Sequence, residues 1–352
     1  MSSDFRGLAA YGWSPHFHAR LDETELADFV PARVVAVHRG AIDVEGPAFT
    51  GRVPQLDADD PLDRATVGDF VLLDRSGRSR RVLERKSLFK RRAAGTGREL
   101  QLVAANVDTL LIVTSCNHDF NLARLERYLV LAREAGVTPL IVLTKADLAD
   151  DPDELAAKAR KLAPGLLVEP LDARDPAEVD RLRFWCGPGE TVALLGSSGV
   201  GKSTLVNTLL AAEAQATGGI REGDSHGRHT TTGRSLLRLP AGGWLLDTPG
   251  MRELQLTDVG DGIDQVFDDV VRLAARCRFA DCRHETEPGC AVQAAIAAGD
   301  LEPGRLKRYR KLEAEDRRNT ETLAESRARF RRFGRLTRSA LQDKRLRSGR
   351  DP

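Results

Sequence analysis

The sequence predicts an α/β protein of several domains: a small β-barrel, then a wound sheet flanked by helices, then a helical C-terminal region. Three observations carry that expectation. Short apolar runs punctuated by glycine fill residues 32–86. Longer continuous apolar runs alternate with helix-like segments over residues 110–246. A cluster of cysteines with one histidine follows where the strands cease. A chain of 352 residues exceeds one typical domain, so two or three are expected, and a hydrophobic content of 41% can bury real cores.

Ala32 to Val44, Phe70 to Asp74 and Arg81 to Glu84 read as strands, with Gly40, Gly46, Gly51, Gly68 and Gly77 between and around them. Short strands at this spacing suggest the barrel. The stretch Arg91 to Glu99, with Gly95 and Gly97, is basic and turn-rich, which suits a flexible connection. Leu110-Leu111-Ile112-Val113 and Leu140-Ile141-Val142-Leu143 are unbroken apolar runs, as parallel strands buried on both faces require. Leu122 to Ala135 between them is helix-like. Leu166-Leu167-Val168, Val192-Ala193-Leu194-Leu195 and Trp244-Leu245-Leu246 add three strands to a wound α/β sheet. Beyond about residue 260 the strand pattern ends, and Asp264 to Arg276 and Pro303 to Phe333 read as helices. No internal repeat is evident.

No apolar run approaches the length of a membrane span. The start, Met1-Ser2-Ser3-Asp4-Phe5-Arg6-Gly7, lacks the basic-then-apolar layout of a secretion signal, so a cytoplasmic protein is expected. The net charge of +1 hides an uneven distribution. Residues 305–352 hold 17 Lys and Arg against 7 Asp and Glu, and residues 75–92 hold 9 against the single acid Glu84. Two such segments suit a polyanionic partner, because Lys and Arg displace counterions from phosphate backbones. Two solvated surfaces explain them equally well. The five cysteines, Cys116, Cys186, Cys277, Cys282 and Cys290, are an odd number and argue against a disulfide framework.

Gly196-Ser197-Ser198-Gly199-Val200-Gly201-Lys202-Ser203 is a phosphate loop, preceded by the strand Val192 to Leu195 and followed by a helix from Ser203 to Leu210. The glycines let the backbone curl so that its N–H groups face phosphate oxygens, with Thr204 in the first turn behind them. Lys202 is placed to bridge the β- and γ-phosphates, and the Ser203 hydroxyl to hold Mg²⁺. Thr144-Lys145-Ala146-Asp147 follows a buried strand. A carboxylate at Asp147 accepts both the ring N–H and the exocyclic amino group of guanine, a donor pair that adenine does not present. Lys145 would lie along the base plane. Thr144 stands where usual GTPases have Asn, and it keeps a hydroxyl but loses the amide, which suggests some loss of affinity. Asp172-Ala173 offers a backbone N–H for the guanine carbonyl.

Asp247-Thr248-Pro249-Gly250 ends the strand Leu245-Leu246 and fits an Asp-x-x-Gly switch, in which Asp247 orients Mg²⁺ through water and the Gly250 N–H senses the γ-phosphate. Gly227-Arg228-His229-Thr230-Thr231-Thr232 offers hydroxyls for a second Mg²⁺ contact, with Thr231 the candidate and Thr230 and Thr232 the alternatives. The glutamine that positions water in Ras-like enzymes is replaced by Met251. Hydrolysis is therefore expected to be slow unless another group completes the site, and His229 is the candidate within the chain. The base-reading motif precedes the phosphate loop by about fifty residues, the reverse of the usual order, so the GTPase domain is circularly permuted.

Cys277-x4-Cys282-x-His284-x5-Cys290 supplies three thiolates and one imidazole within fourteen residues. That set saturates a tetrahedral Zn²⁺ and makes the site structural. Zinc would let a short segment fold that could not bury enough core alone. Cys116 and Cys186 lie far off and read as core thiols.

Taken together these residues resemble the RsgA/YjeQ family of circularly permuted GTPases dependent on the small ribosomal subunit. The resemblance also rests on Leu8 to Trp13, Arg33 to Gly40, Ala105-Asn106-Val107-Asp108, Asp119 to Leu122 and Arg124 to Tyr128. It implies an OB-type barrel that contacts ribosomal RNA over residues 1–92, the permuted GTPase domain over 93–258, and a zinc-binding, basic helical domain over 259–352. It also implies a cytoplasmic monomer that hydrolyses GTP during late maturation of the small subunit, stimulated by that subunit, with no membrane or DNA partner. Thr144 for Asn, and Asp172 for the Ser common before Ala173, are departures. The competing readings are a permuted GTPase of the large subunit, an RNA-binding module with negligible turnover, and an ATP-dependent kinase. The motif order further suggests that switch movement passes directly into the zinc domain near Gly260.

Overall fold

The computed structural model describes residues 5–58, 60–92, 100–211, 234–247, 256 and 258–320. A 3-10 helix (Phe5–Tyr11) and two short helices, α1 (Pro15–His18) and α2 (Glu23–Asp28), precede the first strand. Helix α2 begins at Asp22, whose side chain accepts from Glu25 N at 2.8 Å while the Glu25 carboxylate accepts from Asp22 N at 3.2 Å. This reciprocal pairing satisfies helix N–H groups that have no partner within the helix.

Five antiparallel strands follow: β1 (Val30–His38), β2 (Ala41–Glu45), β3 (Thr50–Pro54), β4 (Phe70–Leu73) and β5 (Ser79–Val82), in the order β3-β2-β1-β4-β5. They share one core of Ala32, Val34, Ile42, Val44, Val53, Val71 and Leu73. A β3–β5 ladder that would close them into a barrel is not among the described pairings. The run Ala32 to Val44, read as one strand, is a hairpin: Gly40, with φ of +76°, turns the chain between β1 and β2. A second hairpin pairs β6 (Leu88–Arg92) with β7 (Leu100–Ala105). The expected flexible stretch lies in its connection, and residues 93–99 are outside the described residues.

The wound sheet consists of β8 (Thr109–Ser115), β9 (Thr138–Thr144), β10 (Leu167–Pro170), β11 (Thr191–Leu195), β12 (Arg234–Arg238) and β13 (Trp244–Asp247). Its parallel part runs β10-β9-β8-β11-β13, with β12 antiparallel at the β13 edge. The alternation of a strand's side chains assigns its residues to two layers. Leu110, Ile112, Ile141 and Leu143 pack with Leu125 and Leu129 of α3 (Leu122–Glu134) and with Ala156 and Ala159 of α4 (Pro152–Arg160). Leu111, Val113, Leu140 and Val142 pack with Val179 of α5 (Pro176–Val179) and Leu205 of α6 (Lys202–Ala211). The unbroken apolar runs are therefore buried on both faces, as expected. Helices start where side chains cap them: Asn121 accepts from Arg124 N at 3.1 Å, and Asp151 from Glu154 N at 2.8 Å.

The strand β12 was not legible beforehand, and it joins the two halves of the molecule. Its other edge pairs with β1, Ala36 opposite Ser235 and Val37 opposite Arg234, so one sheet runs through both units. Nearby, Trp244 Nε1 donates to Ala10 O at 3.0 Å. The fully buried Arg33 donates to Tyr11 O at 2.6 Å and to Thr191 Oγ1 at 2.7 Å. Burial, partly offset by the charges of Asp108 and Asp69, pushes Arg33 down to about 10, which leaves it cationic at neutral pH.

The C-terminal region is helical where described: α7 (Gly260–Val266), α8 (Asp268–Ala274), α9 (Ala291–Ala298) and α10 (Pro303–Thr320). Val292, Leu301, Leu306 and Leu312 share a core with α3. The fully buried Glu126 of α3 accepts from Arg305 Nη1 and from Arg308 Nε, each at 2.7 Å. Arg305 also donates to Val266 O at 2.7 Å and to Asp269 at 3.1 Å, and its guanidinium lies 4.2 Å from the Phe267 ring centroid. The helical expectation extended to Phe333; residues 321–352 are outside the described residues. No described helix is long and apolar enough to cross a membrane.

Candidate functional site

At the end of β11 the chain turns sharply into α6, and the turn is forced by contact. A Cβ on Gly196 would lie 2.1 Å from Val113 O, so only glycine fits against β8. Gly201, with φ of +94°, completes the curl that aims the first turn of α6 inward. The Lys202 ammonium is held over this curl, donating to Gly196 O at 2.8 Å and to Ser197 O. Ser203 and Thr204 are exposed in the first helical turn. Backbone N–H groups at such a helix start, with a lysine above them, form a cradle for phosphate.

The loop Thr144–Asp147, expected to read the base, leaves the end of β9, two strands away from β11, yet it is fastened directly to residues 199–200. The buried Thr144 hydroxyl lies 2.5 Å from Val200 O and 3.2 Å from Thr114 O. Lys145, with φ of +58°, donates from Nζ to Gly199 O at 2.9 Å. A side chain in this left-handed region is uncommon and clusters at functional loops. Thr144 thus packs beneath the two loops and ties them together.

Asp147 sits at the rim of this loop, and the chain after β10 closes against it: Ala146 N donates to Leu171 O at 3.4 Å, and Leu171 N to Leu143 O at 2.9 Å. Asp172 and Ala173 are thereby brought beside Asp147, and Ala173 O accepts from Thr208 Oγ1 of α6 at 2.7 Å. The residue that the sequence did not single out is Arg174. Its Nη2 lies 2.7 Å from Asp147 Oδ2 and 2.9 Å from Asp172 Oδ2. Hydrogen bonds from the Arg174 side chain and backbone hold the Asp172 carboxyl below its usual range. The triplet Asp172-Ala173-Arg174 carries the signal, an acid and a base two residues apart.

Asp247 ends β13, the strand paired to β11, which brings its backbone beside the phosphate loop. A hydroxyl at Ser203 and a carboxylate at Asp247 are hard oxygen donors of the kind Mg²⁺ takes. His229, Thr230, Thr231, Thr232, Gly250 and Met251 lie outside the described residues. Cys116 and Cys186 are buried, and burial pushes their thiols up to about 11 and about 12, each helped by a nearby carboxylate. Both are inert core thiols.

The second constellation is in the C-terminal region. Cys277 and Cys290 approach to 3.8 Å between sulfurs, and His284 Nδ1 lies 3.5 Å from each. With Cys282 included, all four ligand atoms fall within 4.8 Å of one another. Tetrahedral Zn²⁺ with bonds of about 2.3 Å to sulfur and about 2.0 Å to nitrogen needs edges of roughly 3.5 to 3.8 Å, so the donor set fits the ion. Burial and then the Arg310 charge lower the His284 pKa, which favours the neutral imidazole that binds metal.

The basic run at residues 75–92 is partly consumed within the fold. Arg75, Arg81, Arg85 and Lys86 pair with Asp28, Glu25, Asp69 and Asp108 from other segments, and Arg80 pairs with Asp74 just before the run.

The family described as RsgA GTPase matches residues 82–257. A relative from Vibrio parahaemolyticus serotype O3:K6, named small ribosomal subunit biogenesis GTPase RsgA 2, is 53% identical over 97% of this chain and 94% of its own. One from Mesorhizobium japonicum, named small ribosomal subunit biogenesis GTPase RsgA, is 52% identical over 89% of this chain and 91% of its own. The crystal structure of YjeQ from Thermotoga maritima is similar with a TM-score of 0.59 and 25% identity, covering 80% of this chain and 96% of that one. YloQ, described as a circularly permuted GTPase, has the same fold with a TM-score of 0.57 at 23% identity, over 84% and 97%.

Proposed function

Because the chain belongs to the RsgA family of GTPases, we propose that it hydrolyses GTP in the late maturation of the small ribosomal subunit, with the subunit as activator. The observation that carries this reading is the pair of ties, Thr144 to Val200 and Lys145 to Gly199, joining a guanine-reading carboxylate to a phosphate cradle. Asp147 accepts the two N–H donors of guanine, and the Ala173 N–H meets its carbonyl. Residues 196–204 hold the phosphates, with Lys202 exchanging loop carbonyls for β- and γ-oxygens. Ser203 and Thr231, with Asp247 acting through water, would hold Mg²⁺, which would supply positive charge beside those phosphates. Gly250 senses the γ-phosphate, and His229 orients the attacking water in place of a glutamine. Met251 makes that step slow until the subunit orders the site.

The division at about 92 and 258 belongs to the same proposal: an OB-type unit that contacts ribosomal RNA, the permuted GTPase unit, and a zinc unit whose ligands are Cys277, Cys282, His284 and Cys290. The protein acts as a cytoplasmic monomer. The test is GTP turnover with and without purified small subunits. A stimulation of tenfold or more is expected. Equal turnover in both would favour an RNA-binding factor with a regulatory nucleotide, and stimulation by large subunits alone would move the activity to that particle. Efficient displacement of GTP by ATP would revive a kinase.

A further inference from the structure

The guanidinium of Arg174 lies between two carboxylates, and the sequence motifs assign it nothing. Its Nε donates to Asp172 Oδ1 at 3.0 Å, and its Nη2 reaches Asp172 Oδ2 at 2.9 Å and Asp147 Oδ2 at 2.7 Å. Its own backbone N–H adds a bond to Asp172 Oδ1 at 2.9 Å. Asp172 is therefore the anchor, gripped from side chain and main chain, while the same Nη2 that binds it also reaches Asp147. The anchor is itself held, because Asp172 N donates to Glu178 Oε2 at 2.7 Å, and Arg181 joins Glu178 to Pro170 O.

We infer that Arg174 is a positioning residue for guanine recognition, fixing the Asp147 carboxylate in the orientation that receives the base. The inference rests on the guanine-nucleotide reading of this pocket. A carboxylate offers about four lone-pair sites on two oxygens. Arg174 occupies one of them, on Oδ2, so both oxygens still have a site for the ring N–H and the amino group. Bridge and base are compatible. Removing the guanidinium would leave Asp172 facing Asp147 as an uncompensated like charge, and the Asp147 side chain would lose its one described polar tether. The affinity that comes from a preorganised acceptor would fall with it. This also accounts for Asp172 in the position where serine is common. The acid and the arginine two residues later form one unit.

Two thirds of the Arg174 side chain is exposed, so its replacement leaves the core intact. The experiment measures GTP and ATP binding by competition against a fluorescent GTP analogue. It uses the full chain and the variants Arg174→Ala, Arg174→Lys, Asp172→Ser and Asp172→Ser/Arg174→Ala, with melting temperatures as controls. Arg174→Ala is expected to weaken GTP about tenfold while ATP binding stays the same, so that the preference for GTP narrows. Arg174→Lys, a point charge without the planar fork, should recover part of the loss. The double variant should bind GTP better than Arg174→Ala, because the unpaired acid is gone. In turnover the deficit should fall on KM more than on kcat. GTP affinity in Arg174→Ala equal to or above that of the natural chain would overturn the inference. So would an equal loss for GTP and ATP, which marks a merely structural role. A natural chain with no preference for GTP over ATP would overturn the guanine reading itself, and the inference with it.

Discussion

Thr144 illustrates what a motif conceals at the level of one residue. As a letter in the base-reading motif it is a weakened asparagine; in the fold it is a buried fastener between loops far apart in the chain. Thr144→Val keeps the shape and leaves Val200 O without its donor, which should cost about 1–3 kcal/mol. Thermal melting and a GTP titration check this, with a lower melting temperature and weaker binding expected together. Glu126 makes the same point more strongly. Its neighbours Leu125 and Leu129 announce the buried face of α3, but nothing in the local pattern marks Glu126 as buried beside them. Two arginines from residues 305–308 make that burial tolerable, and only the folded chain brings them there. Removing one partner of a buried ionic network typically costs about 3–5 kcal/mol, because the remaining charges stay buried without compensation. Glu126→Ala should therefore lower the melting temperature markedly, whereas Glu302→Ala, which removes an exposed partner of Arg308, should not.

Among elements, the motif order pointed from the switches toward the zinc region, and the strand pairings add a route in the opposite direction. β12 lies between residues 230–232 and Asp247 in sequence, and it hydrogen-bonds to β1 of the N-terminal unit. β12 therefore gives the switch segments a connection to the N-terminal strands that does not pass through Gly260. The C-terminal helices, for their part, are anchored laterally on α3 by the Glu126 network and by the bond from Gly262 N to Glu134 Oε2 at 3.1 Å. A flexible insertion near Gly260 alone should therefore reduce subunit stimulation only in part. The same insertion combined with Glu126→Gln should reduce it further. Stimulation assays on both chains check this, and complete loss from the insertion alone would restore the simple chain-connection route. The five parallel strands were legible because continuous apolar runs have no other use in a wound sheet. The β1–β2 hairpin was not, because apolar residues on both sides of Gly40 read as one run. β12 escaped notice because its sequence, Arg234-Ser235-Leu236-Leu237-Arg238, is short and polar at both ends.

At the scale of the whole molecule, the inverted motif order changes the chain's path and leaves the site's contacts intact. The loops that start at Thr144, Asp172 and Gly196 converge because the strand order β10-β9-β8-β11-β13 sets their C-terminal ends side by side. Charge counted along the chain was the less reliable guide. Four of the nine basic residues in 75–92 pair with acids that only folding brings to them, and a fifth, Arg80, pairs with Asp74 at the edge of the run. The cysteine–histidine spacing was fully legible, since ligand type and spacing are local properties. One equivalent of zinc per chain is expected, and its removal by a chelator should lower the melting temperature while GTP binding by residues 144–204 persists. Metal analysis with parallel melting and GTP titration checks this.

The most direct measurement is subunit-stimulated turnover of GTP and of xanthosine triphosphate by the natural chain and by Asp147→Asn. Xanthine carries an oxygen where guanine carries the amino group, so an amide at residue 147 accepts its ring N–H and donates to that oxygen. The account predicts that stimulated turnover passes from GTP to xanthosine triphosphate on this one substitution. Undiminished GTP turnover by Asp147→Asn in the presence of small subunits would contradict it.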